Sequence, residues 1–234
     1  MKEEFIETSN YSKLLESFAR LESLPATAPR IGLGFGNFGL GKTFSLERIT
    51  AKKNAILLRA AQAWSKKNLL ERLCAELALD QNGTIGKLYE RVVDELRNRP
   101  RIIIIDEIDA LLRGEKISTL ELLRDIHDES PIILYFIGME ESNAKLKRHR
   151  HYYSRVVELC EFKQIGIDDV RSFCALSTIK IEDDLISFFA DRYPNLRQIK
   201  VFLLRLEKEC EVNDIHTVDL LTFRELGVDG NGKS

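Results

Sequence analysis

The residues best equipped for chemistry are Gly36, Asn37, Phe38, Gly39, Leu40, Gly41, Lys42 and Thr43. They fit the phosphate-binding pattern G-x-x-x-x-G-K-[ST] at every fixed position. Glycines at these places let the backbone wrap a phosphate with no Cβ in the way. The loop N–H groups and the start of a following helix then present partial positive charge to it. Lys42 is placed to reach the β- and γ-phosphates of a nucleotide, and the Thr43 hydroxyl to ligate Mg²⁺. Further along, Ile102-Ile103-Ile104-Ile105 runs into Asp106-Glu107. A carboxylate at the end of a buried strand beside such a loop can hold the Mg²⁺ shell, which is the role expected of Asp106. Glu107 lies where it can polarise an attacking water as general base. Asp109 reads as an acid at a helix start, with a part in the site as the alternative.

These groups need strands and helices in alternation to position them. Arg30–Phe35, just ahead of the loop, is short and apolar and reads as a buried strand, and Phe44–Lys52 after it reads as a helix. Asn54–Arg59, Arg101–Asp106, Pro131–Gly138 and Val156–Phe162 are further strands. The β-branched run before Asp106 has no polar alternation, as in a strand of a parallel sheet covered on both faces. Helices are expected at Tyr11–Glu22 behind a Ser9 or Asn10 cap, from Ser65 to Leu79, from Thr84 to Arg99 and from about Lys116 to Glu129. This order predicts an α/β fold with a five-stranded, doubly wound parallel sheet. Beyond Gly166 the pattern predicts helices only, at about 167–176, 182–192 and 195–211, with one further element in 213–224.

The chain has 234 residues, 44% of them hydrophobic and 31% charged, which is ordinary for a soluble globular protein. Its net charge of −2 announces no global attraction to nucleic acid, so any DNA contact must come from a local patch. The four cysteines, Cys74, Cys160, Cys174 and Cys210, have no zinc-ligand spacing and read as buried free thiols in a reducing compartment. No apolar run approaches 20 residues and the acidic start is no signal peptide, so a cytoplasmic protein with no membrane partner is expected.

The phosphate loop, the Ile102–Asp109 stretch, five strands and a following helical segment together resemble an AAA+ ATPase over residues 30–225. The resemblance implies ATP and Mg²⁺ as ligands and a division into an N-terminal helix and linker (1–29), a nucleotide-binding core (30–165), a helical lid (166–225) and a flexible tail (226–234). In that family an arginine at the foot of the fifth strand acts on a neighbouring subunit's γ-phosphate, and Ser154-Arg155-Val156 matches by position. The alternative for Arg155 is a helix-end cap or a surface ion pair. The family's lid helix also starts with an arginine facing the nucleotide, which Tyr193-Pro194-Asn195-Leu196-Arg197 resembles, so Arg197 is the corresponding candidate. One place departs from the pattern: Met139 stands after the fourth strand, where a polar residue normally orients water. Hydrolysis is therefore expected to be slow or partner-stimulated.

Within AAA+, the entry Gly32–Thr43 and the turn Gly138-Met139-Glu140-Glu141 are similar to the Mu B-type and TnsC-like transposition ATPases. That resemblance implies a homo-oligomer, ring or filament, on duplex DNA of any sequence, selecting a target and engaging a transposase. Residues 1–29 are too few for the N-terminal DNA-binding domain of Mu B, so contacts are expected from Lys66 and Lys67 after the second strand, or from Lys147 and Arg150 in the basic run 145–153. His149 and His151 share no helical face and read as no metal site. The competing reading is an ATP-switched adaptor or loader that acts on a protein partner without touching DNA.

Overall fold

The structure is a computed structural model, and residues 1–2, 4–113 and 117–228 are described. They form two compact units. One comprises Lys13–Asn37 and Thr43–Phe162, and the other comprises Met1–Ser12, Phe38–Lys42 and the chain from Lys163 onward.

The first unit is built on a parallel sheet. Helix α1 (Ser9–Ser23) precedes β1 (Ile31–Phe35), and α2 (Lys42–Lys53) leads to β2 (Ile56–Arg59). Helices α3 (Lys66–Glu76) and α4 (Ile85–Asn98) follow, then β3 (Ile102–Asp106), a 3₁₀ turn (Ile108–Ala110), α5 (Ile117–Glu129) and β4 (Ile133–Gly138). Two short helices, α6 (Ser142–Lys147) and α7 (Arg150–Tyr153), lead to β5 (Val156–Glu161). The strand order is β2-β3-β4-β1-β5, with every neighbour parallel. The expected five-stranded α/β architecture is the one observed.

The apolar runs explain the layers. Alternate residues of the strands, Ile31, Leu33, Ile103, Ile105, Leu134 and Phe136, join Leu69, Leu70, Leu73, Leu88, Val92, Leu96, Leu120 and Ile126 from α3, α4 and α5 in one buried cluster. On the opposite face Tyr135 stacks on Phe18 of α1 with ring centroids 4.3 Å apart. Its hydroxyl shares a 2.8 Å hydrogen bond with Ser17. A Cβ on Gly32 would collide with the Tyr135 ring, so the glycine in β1 is what lets α1 close on the sheet.

Several boundaries differ from the sequence expectation. Thr8, not Ser9 or Asn10, caps α1 by accepting from the Tyr11 N–H at 3.3 Å. Helix α3 ends at Glu76 rather than Leu79, because Ala78 turns left-handed at φ 56°. Ser65 does cap it, in a reciprocal capping box with Asn68.

The second unit carries α8 (Ile167–Cys174), β6 (Lys180–Ile181), α9 (Asp183–Arg192), α10 (Leu196–Asn213), β7 (Thr217–Val218) and α11 (Leu220–Glu225). The expectation of helices alone after Gly166 is corrected: β6 and β7 pair in parallel. Two residues per strand are too few to leave a period in the sequence. Phe189, Phe202 and Phe223 form the heart of this unit's core, with Phe189 stacked on Phe202 at 5.8 Å and edge-on to Phe223 at 5.3 Å. Val228 is buried in the same cluster, and the remainder of the expected 226–234 tail, from Asp229 on, lies outside the described residues. The four cysteines are buried and free, and burial pushes the Cys160 and Cys174 thiols up to about 11 and about 12.

Candidate functional site

In the sheet unit, parallel strands bring their C-terminal ends to one edge. Gly36 leaves β1 there, Asp106 ends β3, Met139 follows β4 and Arg59 ends β2. Ligands of open α/β sheets bind outside that edge, where connections leave in opposite directions from a strand such as β1.

Asp106 is only 6% exposed, and its Oδ1 accepts from the Glu107 N–H at 2.8 Å. Glu107 adopts φ 57°, ψ 40°, the left-handed region, with a side chain 62% exposed. A non-glycine residue there carries strain of roughly 1–3 kcal/mol, which the fold holds in place and which clusters at functional positions. The turn sends the Glu107 carboxylate into solvent instead of continuing the strand. Arg59, paired with Asp106 across β2 and β3, lies 3.7 Å from Asp106 Oδ2 and 3.6 Å from Glu107 Oε1. Sequence reasoning passed over Arg59. Its only signal was its place as the last residue of an apolar run.

Asp109 lies in the first turn of the 3₁₀ segment Ile108–Ala110, the helix-start acid expected of it. Its Oδ2 accepts from the Met139 N–H at 2.7 Å and the Ser142 hydroxyl at 2.8 Å, and its Oδ1 from Lys145 at 3.3 Å. Burial pushes its pKa up, but these three donors outweigh burial and hold the carboxyl below its ordinary value. Asp109 thus fixes the turn after β4 and with it the Met139 backbone.

Arg155 stands immediately before β5, at the opposite edge of the sheet. The six residues of β5 span about 20 Å at ~3.3 Å each, so Arg155 cannot reach Thr43 or Asp106 of its own chain. Its guanidinium donates to Asp128 Oδ1 at 2.9 Å. The same oxygen faces His127 Nδ1 at 3.3 Å, while His127 Nε2 accepts from the Arg30 N–H at 3.1 Å. Burial lowers the His127 pKa and favours the neutral ring, whose Nδ1 proton points at Asp128. The surface ion pair weighed for Arg155 is therefore present in the single chain.

The phosphate-loop segment Phe38–Lys42 belongs to the helical unit. Gly39 and Gly41 take φ 77° and 85°, which a side chain would resist. Leu40 between them is buried, whereas Phe38 is 63% exposed. Asn195, the cap of α10, donates from Nδ2 to the Phe38 carbonyl at 3.3 Å, and the Leu196 N–H donates to the Gly39 carbonyl at 2.9 Å. Arg197, next along α10, is exposed and off the buried stripe Ile199, Leu203, Leu206.

The basic candidates sit on surface helices. Lys66 and Lys67 open α3, with Lys67 3.7 Å from Glu71. Trp64 beside them is buried at 3% exposure and belongs to the core. Lys147 ends α6 with its ammonium 5.4 Å over the Tyr153 ring, and Arg150 opens α7, exposed. Among the described residues no group of three or more His, Cys, Asp or Glu could hold a metal, and no helix is long and apolar enough to cross a membrane.

The sequence model of a family described as an AAA domain matches residues 26–146. A Staphylococcus aureus protein described as a potential ATP-binding protein is 28% identical, over 70% of this chain and 69% of its own. The Aeropyrum pernix ORC2 protein, solved as ADPNP-ADP complexes, superposes with a TM-score of 0.71 at 14% identity, covering 100% of this chain and 71% of that one. The Aeropyrum pernix ORC1 protein, solved in complex with DNA, gives 0.64 at 16%, covering 96% and 66%. Cdc6p from Pyrobaculum aerophilum gives 0.64 at 15%, covering 89% and 62%. At these identities the likeness is one of fold.

Proposed function

This chain belongs to the AAA-domain family of P-loop ATPases, and from that premise we propose that it is an ATP-switched ATPase that assembles with copies of itself on duplex DNA. The observation that carries the ATPase half is the Asp106-Glu107 turn. A buried carboxylate ends β3 and a left-handed residue then turns the next carboxylate out to solvent, at the edge where the phosphate loop leaves β1.

The roles follow from the chemistry of each side chain. Gly36–Gly41 offer backbone N–H groups to phosphate, and Lys42 adds a point charge for the β- and γ-phosphates. The Thr43 hydroxyl and Asp106 are hard oxygen donors. One carboxylate and one hydroxyl suit a Mg²⁺ that brings its own phosphates and waters, so the residues fit that ion. When bound with ATP, Mg²⁺ would offset charge on the β- and γ-oxygens. Glu107 takes the proton of the attacking water. Arg155 would meet the γ-phosphate of a neighbour, since Asp106 and Thr43 of its own chain stand at the other edge of the sheet. Arg197 supplies a further cation from the lid helix.

DNA binding is supported by the exposed basic residues Lys67, Lys147 and Arg150, by Lys66 at the start of α3, and by the fold shared with a protein solved on DNA. The sequence carries no recognisable base-reading motif, so phosphate contacts, repeated along an assembly, would carry the affinity. Target selection for a transposase is the finer form of this reading and rests on the similarity of Gly32–Thr43 and Gly138–Glu141 to the transposition ATPases. The adaptor reading draws on the net charge of −2 and on Met139 standing where a polar residue is usual.

A mobility-shift titration on a long duplex at low salt separates the two. The DNA reading predicts a shift with ATP, lost without it and weakening steeply as salt rises. No shift with ATP at low salt gives the adaptor reading its place.

A further inference from the structure

Asn10 lies inside the helical unit at 1% exposure, one residue into α1. Its Nδ2 donates to the Leu40 carbonyl at 3.3 Å and to the Lys163 carbonyl at 2.8 Å, and its Oδ1 accepts from the Lys163 N–H at 3.1 Å. A buried amide is costly unless its polar atoms are paired, and here every partner is backbone. The side chain is therefore matched to the phosphate loop on one side and to the segment after β5 on the other.

Asn195 and Leu196 hold the same loop through its preceding residues. Together the three contacts take the carbonyls of Phe38, Gly39 and Leu40 in succession. In a planar trans peptide the N–H points opposite to the carbonyl. Fixing these three carbonyls on protein donors therefore aims the N–H groups of Gly39, Leu40 and Gly41 the other way, as a preset nest for an anion. The left-handed Gly39 and Gly41 are the bends that make this possible.

We infer that Asn10 and Asn195 are positioning residues that preset the phosphate loop for nucleotide by holding its carbonyls away from the ligand. The inference rests on the nucleotide-binding reading of that loop and adds two residues that no phosphate-loop pattern contains. Because Asn10 also grips Lys163, loading of the loop is felt at the start of the lid segment through one buried amide.

The test is ADP affinity, by titration of a fluorescent analogue well below the melting midpoint of each apo protein. There a purely structural loss leaves Kd unchanged, since the folded fraction stays near one. Asn10→Ala strips the Leu40 carbonyl of its donor. Asn195→Asp keeps the cap of α10, because a carboxylate accepts the Arg197 and Gln198 N–H groups equally well, but removes the donor to Phe38. Each variant is expected to weaken ADP about tenfold, the equivalent of roughly one lost hydrogen bond. Asn195→Asp does so with an unchanged melting midpoint, and it decides the matter alone if Asn10→Ala does not fold. Wild-type affinity in folded Asn195→Asp overturns the inference while leaving the nucleotide site standing. Failure of the wild type itself to bind ADP overturns both.

Discussion

Glu107 sits in a backbone conformation that glutamate rarely adopts, and the strain has a use only if its carboxylate must leave the strand line. Glu107→Gln keeps the shape and the turn but cannot accept a proton. It is expected to bind ATP normally and to lose turnover by about 10²–10⁴-fold, read as phosphate release. Wild-type release would move the base elsewhere. Asp109 is not the substitute, since its oxygens are committed to Met139, Ser142 and Lys145. Lys42→Ala is expected to weaken ATP by about 100-fold in a fluorescent titration, for loss of a charge-assisted contact and its attraction to the phosphates. The candidates Lys42 and Glu107 themselves were legible in the sequence, because phosphate chemistry requires certain residue types at fixed spacings. Arg59 and Asn10 were not. Each acts through a partner distant in sequence, Asp106 for one and Leu40 and Lys163 for the other, and no local pattern encodes such a pairing.

Elements were legible in proportion to their length and burial. The isoleucines of β3 announce a strand covered on both faces, and α4 shows Leu88, Val92, Val93 and Leu96 on one side. The pair β6 and β7 left no trace, and α6 and α7 read only as a basic run, because six and four residues are too short for a helical period. The end of α3 was misplaced because Leu77 and Leu79 continue the apolar stripe past a left-handed Ala78, and apolar stripes do not report backbone sign. The cap at its other end is testable. Ser65→Ala removes the acceptor for the Asn68 N–H and is expected to cost about 0.5–2 kcal/mol in a denaturant melt. No loss would show that the capping box contributes nothing. Gly32→Ala belongs to the same scale: its methyl meets the Tyr135 ring in the α1–sheet layer, and a loss of roughly 1–3 kcal/mol is expected by the same melt.

The whole molecule carries −2 charge, and Arg155 stands before β5, at the opposite edge of the sheet from Asp106; on the proposed reading a lone chain would be poorly suited either to hold DNA or to hydrolyse ATP. In the proposed reading, assembly would address both, by repeating weak phosphate contacts along a duplex and by bringing Arg155 of one copy to the site of the next. Arg155→Ala is accordingly expected to bind ATP normally and to lose turnover, and mixing it with Lys42→Ala chains to restore some. A Lys42→Ala chain still offers its arginine to a neighbour with an intact phosphate loop. No recovery at any ratio would return Arg155 to its pairing with Asp128 as a purely structural contact. The central claim, a site in one chain completed by the next, is tested most directly by ATP turnover per chain across a hundredfold range of protein concentration, with duplex DNA present. Turnover per chain should rise with concentration, reach a plateau, and stay flat and low for Arg155→Ala. A wild-type turnover per chain that is constant over that range would contradict it.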